Sequence, residues 1–135
     1  MSRPAVTGAG QVAELASVTR AFPGCPESVS AARSWVAGFL PGSPAAHDAA
    51  LMTSELVTNA ILYSASRLPG GRVTVAVRTG DGSVRVDVID QGAAPAGVAA
   101  PSGLGAGLPL VGQLADAFGC RGSDHWFVLS DGGAR

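Results

Sequence analysis

Arg72 to Asp90 reads RVTVAVRTGDGSVRVDVID, and its alternation decides the fold. Val73, Val75 and Val77 share one face of an extended segment, because successive side chains on a strand point to opposite sides. Val84, Val86 and Val88 repeat the pattern after Gly80-Asp81-Gly82, a sequence suited to a tight turn. The stretch is a β-hairpin with one apolar face, and such a face must be covered by a second layer.

The covering elements lie on both sides of the hairpin. Leu15 to Phe22 reads as a strand, and Pro23-Gly24-Cys25-Pro26 as a turn that opens a helix, with Pro26 suited to the first helical position. That helix is expected over 27–40, with Val29, Ala32, Val36, Phe39 and Leu40 on one stripe, and Pro41-Gly42 stops it. Ser43 suits an N-cap and Pro44 the next start, so a second helix is expected over 44–65. After the hairpin, residues 91–104 are rich in Gly, Ala and Pro, show no period, and read as a loop. Residues 105–118 read as a helix opened by glycines, with Leu108, Val111, Leu114, Ala115 and Phe118 buried. A strand over 125–129 closes the chain.

This order predicts an α+β fold. It is a two-layer α/β sandwich in which a mostly antiparallel, mixed sheet carries helices on one face. Residues 1–13 are expected to be a flexible tail and residues 14–131 one domain. A chain of 135 residues with 47% apolar and 14% charged residues suits a single core.

Composition excludes several functions. The net charge of −1 does not suit a protein that binds nucleic acid by neutralising phosphates. No apolar run has the length of a membrane span, and the N-terminus lacks the apolar core of a signal peptide, so a cytoplasmic protein is expected. Every basic residue is Arg, which excludes a P-loop, whose lysine is indispensable, and Schiff-base chemistry. Cys25 and Cys120 form no C-x-x-C pair, and the spacing of His47 and His125 suggests no zinc site.

Three places can carry chemistry, and each also has a plain structural reading. Glu55 and Asn59, in LMTSELVTNAILYS (Leu51 to Ser64), stand four residues apart and so share one helical face. A carboxylate there can accept a proton, and the amide oxygen can bind a divalent cation that carries phosphates; the same pair can be the polar edge of an amphipathic helix. Asp90, at a strand end, can accept a hydrogen bond from an exocyclic amine, and Gly92 lets a flat ring approach; Asp-x-Gly is also an ordinary turn. Gly103, Gly105 and Gly107 run into a helix whose backbone N–H groups can cradle phosphates without a lysine; the segment can equally be a hinge.

In this order the three resemble the motifs of the GHKL (Bergerat-fold) ATP-binding superfamily, which includes gyrase B and the histidine kinases. SELVTNAILYS resembles its N box, VIDQGAAP the first G box, and GLGAGLPLVGQLADAFG the second. The similarity extends over about residues 15–130. Together with TRAFPGCPESVSAARSWV and HWFVL, it narrows to bacterial anti-sigma factor serine/threonine kinases. The resemblance implies ATP and Mg²⁺ as cofactors. Glu55 would be the base that activates the attacking hydroxyl, Asn59 the Mg²⁺ ligand, and Asp90 with Gly92 the adenine site. Gly105, Gly107 and Leu108 would lie at the phosphates, with residues 93–104 as the lid. It also implies a sigma factor and a STAS-type anti-anti-sigma protein as partners, and a homodimer. Two positions depart from the pattern by losing a cation: Ala106 stands for the usual Arg, and Ser123-Asp124 for the usual Lys and hydroxyl residue. Tyr63 stands where similar proteins often have His. Two functions therefore stand, a kinase and an ATP-binding switch that acts through partner binding only.

Overall fold

A computed structural model describes residues 6–7, 11–12, 16–80, 82–93 and 107–131 of the chain, with the side chains of residues 16–80, 82–93 and 111–131. Its hairpin is the expected one: β4 (Arg72–Gly80) pairs antiparallel with β5 (Ser83–Ile89), with Val75 opposite Val88 and Val77 opposite Val86. Gly82 closes the turn at φ +84°, a left-handed conformation that costs glycine little.

Strand β3 (Ala16–Pro23) flanks β4, and β7 (Asp124–Ser130) flanks β5. A further strand, β6 (Ala117–Arg121), pairs with β7 and gives the sheet order β3-β4-β5-β7-β6, antiparallel throughout. Helices α1 (Glu27–Ala37) and α2 (Ala46–Tyr63) cover one face, joined by α3 (Gly107–Leu114). The core between the layers combines Val73, Val75, Val77, Val84, Val86, Val88 and Phe127 with Ala32, Val36, Met52, Leu56, Val57 and Val111. The expected α+β sandwich is therefore the observed one.

Several boundaries differ from the expectation. The last helix ends at Leu114 rather than at 118. Asp116 takes over there: its N–H donates to the carbonyl of Val128, and its carboxylate accepts the N–H of Ser130 at 2.7 Å. Phe118, expected in the buried stripe, lies on β6 and is 54% exposed. The first helix stops at Ala37, and Phe39 is exposed, held edge-on against Trp35 at 4.9 Å. The second helix ends at Tyr63, and a 3₁₀ turn at Ala65–Arg67 follows. Within the N-terminal 13 residues, β1 (Val6–Thr7) pairs with β2 (Gln11–Val12) in a short ribbon, and β2 lies against β4 and β5.

The second face of the sheet is not a plain solvent face. Ala76, Asp87, Trp126 and Gly119 stand in one cross-strand row, and Asp87 is only 1% exposed. The Arg85 guanidinium grips it with two bonds of 2.8 Å and lies 4.6 Å above the Trp126 ring. Gly119 leaves room for that ring, because a Cβ at this position would collide with it.

Asp124 joins this row through a hydrogen bond to Asp87. Burial, then the bond to Asp87 and the Asp87 charge, push its carboxyl up to about 7, so it stays protonated where an unfolded aspartate ionises. The folded state therefore holds a proton that the unfolded state releases. The resulting stability is complete below the ordinary aspartate value and is lost as pH rises through about 7. Asp87 is lowered, so its own stabilisation is lost only in acid, outside that window. The melting temperature should fall between about pH 4 and about pH 7. Asp124→Asn, which cannot ionise, should flatten that slope in a calorimetric series; an unchanged slope would refute the assignment.

Candidate nucleotide site

Helix α2 carries the first pair of expected residues. Its period buries Met52, Leu56, Val57, Ala60 and Ile61 and leaves Glu55 and Asn59 half-buried on adjacent turns. The hydroxyls of Ser54 and Thr58 donate back to the carbonyls of Leu51 and Ser54, each at 2.7 Å. Local backbone acceptors thus absorb those polar groups. Glu55 and Asn59 differ: among the described residues, neither side chain makes a hydrogen bond or ion pair.

Asp90 follows β5 directly. Its N–H donates to the carbonyl of Ser123 at 3.0 Å, which joins the end of β5 to the β6–β7 turn. Its Oδ1 accepts the N–H of Gly92 at 2.7 Å, and Oδ2 lies 3.8 Å from Nε2 of His125. One carboxylate oxygen is thus committed to the turn, while the other accepts no hydrogen bond among the described residues. Gly92 has φ +83°, and a Cβ there would meet nothing closer than the Ser123 hydroxyl at 3.9 Å. Backbone conformation demands the glycine, and a flat ligand has room beside it.

The 3₁₀ turn that follows α2 and the Asp90 turn are bonded together. Ala65 N–H donates to the Gly92 carbonyl at 2.8 Å, and Gln91 N–H to the Ser66 hydroxyl at 3.1 Å. Gln91 Oε1 accepts the N–H of Arg72, at the start of β4. Ser66 itself is fully buried, and its carbonyl lies so close to Gly24 and Gly71 that neither position has room for a Cβ. The helix with Glu55 and Asn59 and the strand end with Asp90 therefore form one unit.

A helical carboxylate and amide, a strand-end aspartate with a spare acceptor, and a glycine turn that ties the two are now in view, and the family follows. A family model described as a histidine kinase-like ATPase domain matches residues 10–126. The chain belongs to that family. No curated protein matches it.

The residues present in this histidine kinase-like ATPase domain fit ATP. Among the described residues Asp90 Oδ2 accepts no hydrogen bond, and in its part-buried site it suits an exocyclic amine. Among the described residues no three His, Cys, Asp or Glu side chains cluster around a common point. Asn59 thus suits a magnesium ion that draws most of its ligands from phosphate and water. Gly107 and Leu108 open α3, whereas Gly105, Ala106 and all of the expected lid 93–104 but its first residue lie outside the described residues. The cavity of about 700 Å³ lined by Phe22, Cys25, Arg67, Leu68 and Arg72 contains none of the expected site residues. Asp124, one of the departures from the family pattern, joins Asp87 on the far face of the sheet.

The sequence gives His125 and Cys120 no role beyond the absence of a zinc site. The alternation His125, Phe127, Leu129 already places His125 on the helix-facing side of β7. Cys120 stands opposite it on β6, a strand that has no comparable alternation. No helix among the described residues is long and apolar enough to cross a membrane.

Proposed function

We propose that this ATPase domain is a protein serine/threonine kinase that phosphorylates a STAS-type anti-anti-sigma protein and sequesters a sigma factor, acting as a homodimer. The observation that supports it is Glu55, a half-buried carboxylate that makes no hydrogen bond or ion pair among the described residues, one turn from Asn59. A carboxylate so placed can take the proton of an attacking hydroxyl. Asn59 would hold Mg²⁺, and Asp90 with Gly92 would hold the adenine. Bound Mg²⁺–ATP would supply the phosphoryl group, whose transfer depends mainly on positioning and charge stabilisation. The partners and the dimer rest on the resemblance to anti-sigma factor kinases.

A second reading, an ATP-binding switch without transfer, is favoured by Ala106 and by Ser123-Asp124, which remove two cations from the family pattern. Both readings require nucleotide binding, and a calorimetric titration with ATP and Mg²⁺ tests it. Asp90→Asn keeps an oxygen for the Gly92 N–H but turns an amide donor toward the adenine amine. Affinity should fall by about 10- to 100-fold, the value of one hydrogen bond to a charged group. Equal affinity in the variant would remove Asp90 from the adenine site, and absence of binding in the parent would refute both readings.

A further inference from the structure

We propose that Cys120 is a modification site, a thiol that exchanges with low-molecular-weight disulfides and, once modified, closes the adenine site. Cys120 is exposed on β6; its thiol donates to the Gly122 carbonyl at 3.5 Å, and its Sγ stands 3.9 Å from Nε2 of His125, the nitrogen that can take the proton instead. The same Nε2 stands 3.8 Å from Oδ2 of Asp90. The three groups meet at the imidazole Nε2, on the helix-facing side of the sheet. Cys25 offers no such arrangement: it is part-buried, and its sulfur faces the Ser28 hydroxyl at 3.8 Å.

The chemistry follows from the arrangement of the three groups. Thiolate, not thiol, attacks a disulfide. Nε2 can take the Cys120 proton, and the imidazolium that results faces the Asp90 carboxylate, which stabilises its charge. The sulfur then attacks one sulfur of the disulfide. A Cys120–S bond forms, the disulfide bond breaks, and the departing thiolate collects the proton from His125. One disulfide replaces another, so no external oxidant is needed.

The consequence concerns Asp90, and this half of the proposal rests on the adenine reading of that residue. A tripeptide-sized adduct on Cys120 would lie over His125 and the free oxygen of Asp90. Adduct and nucleotide therefore exclude each other. Such a device would make nucleotide occupancy respond to the cellular thiol–disulfide balance.

Purified protein treated with glutathione disulfide, followed by intact mass and peptide mapping, tests the proposal. One glutathionyl group is expected on Cys120, none on Cys25, and loss of the adduct in Cys120→Ser. His125→Ala should slow the reaction several-fold, a change that a merely accessible thiol would not show. Saturating ATP should protect Cys120, and the modified protein should lose ATP binding until dithiothreitol restores it. Preferential labelling of Cys25, a rate indifferent to His125→Ala, or undiminished ATP binding by the adduct would each overturn the proposal. Failure of the unmodified protein to bind ATP would instead refute the nucleotide reading, and the His125→Ala comparison would still decide whether Cys120 is activated.

Discussion

Glu55→Gln should abolish phosphoryl transfer while nucleotide affinity stays within about twofold of the parent, since general-base catalysis contributes roughly 10²- to 10⁴-fold to rate and nothing to ground-state adenine contacts. The structure makes the separation clean. Glu55 makes no hydrogen bond or ion pair among the described residues, so an isosteric amide breaks nothing in the fold. Its neighbours Leu56 and Val57 are buried and unchanged, and the melting temperature should move little. The measurement is single-turnover transfer from labelled ATP to a STAS-type acceptor, with calorimetric binding run in parallel. Transfer that survives in Glu55→Gln would eliminate Glu55 as the base. A parent protein that binds ATP but transfers nothing would leave the switch reading, in which Glu55→Gln does not alter partner binding.

Arg85→Met should have the largest effect on stability. It leaves the Asp87 carboxylate, 1% exposed, without its guanidinium. Removing one partner of a buried pair costs about 3–5 kcal/mol, and here, among the described residues, the remaining charge keeps only the Asp124 hydrogen bond and the Arg78 charge. Asp87 can escape part of this by taking a proton. The deficit should therefore grow with pH: without Arg85 the folded carboxylate value rises, and the stability it carries is lost as pH climbs through it. Trp126 also loses the cation over its ring. The double variant Arg85→Met/Asp87→Leu should recover much of the loss, since two apolar side chains can replace a buried pair at little net cost. Urea denaturation of the two variants checks this. A single variant within about 1 kcal/mol of the parent would show that the pair is solvated, as surface pairs are.

What could be read from the sequence followed from periodicity. The hairpin was legible because valines alternate over both of its strands, and α1 and α2 because their apolar residues recur at helical spacing. Glu55 and Asn59 were placed on one face by the same arithmetic. Strand β6 was not legible. Its sequence, Ala-Phe-Gly-Cys-Arg, has no β-branched residue, and its Gly119 makes sense only once Trp126 lies across it. Phe118 reads as helical for that reason, because an apolar residue four positions after Leu114 continues a helical stripe. Arg85 and Asp87 alternate with valines and read as a solvent face; only the cross-strand neighbours Trp126 and Ala76 show that face to be partly closed. The bonds between Ala65, Ser66, Gln91 and Gly92 join positions about 25 residues apart, and no local pattern encodes them. His125 and Cys120 gained meaning from the register of β6 on β7 and from the Asp90–Ser123 bond.

The junction at Ser66 has a bearing on catalytic economy. Because the 3₁₀ turn that follows α2 is bonded to the Asp90 turn before any ligand arrives, the spacing between the Asp90 carboxylate and the Glu55–Asn59 pair is settled when the chain folds. The entropy of aligning these two parts is lost in folding rather than in binding. On the proposed kinase reading, nucleotide affinity can then be directed to ordering whatever covers the phosphates and the acceptor protein.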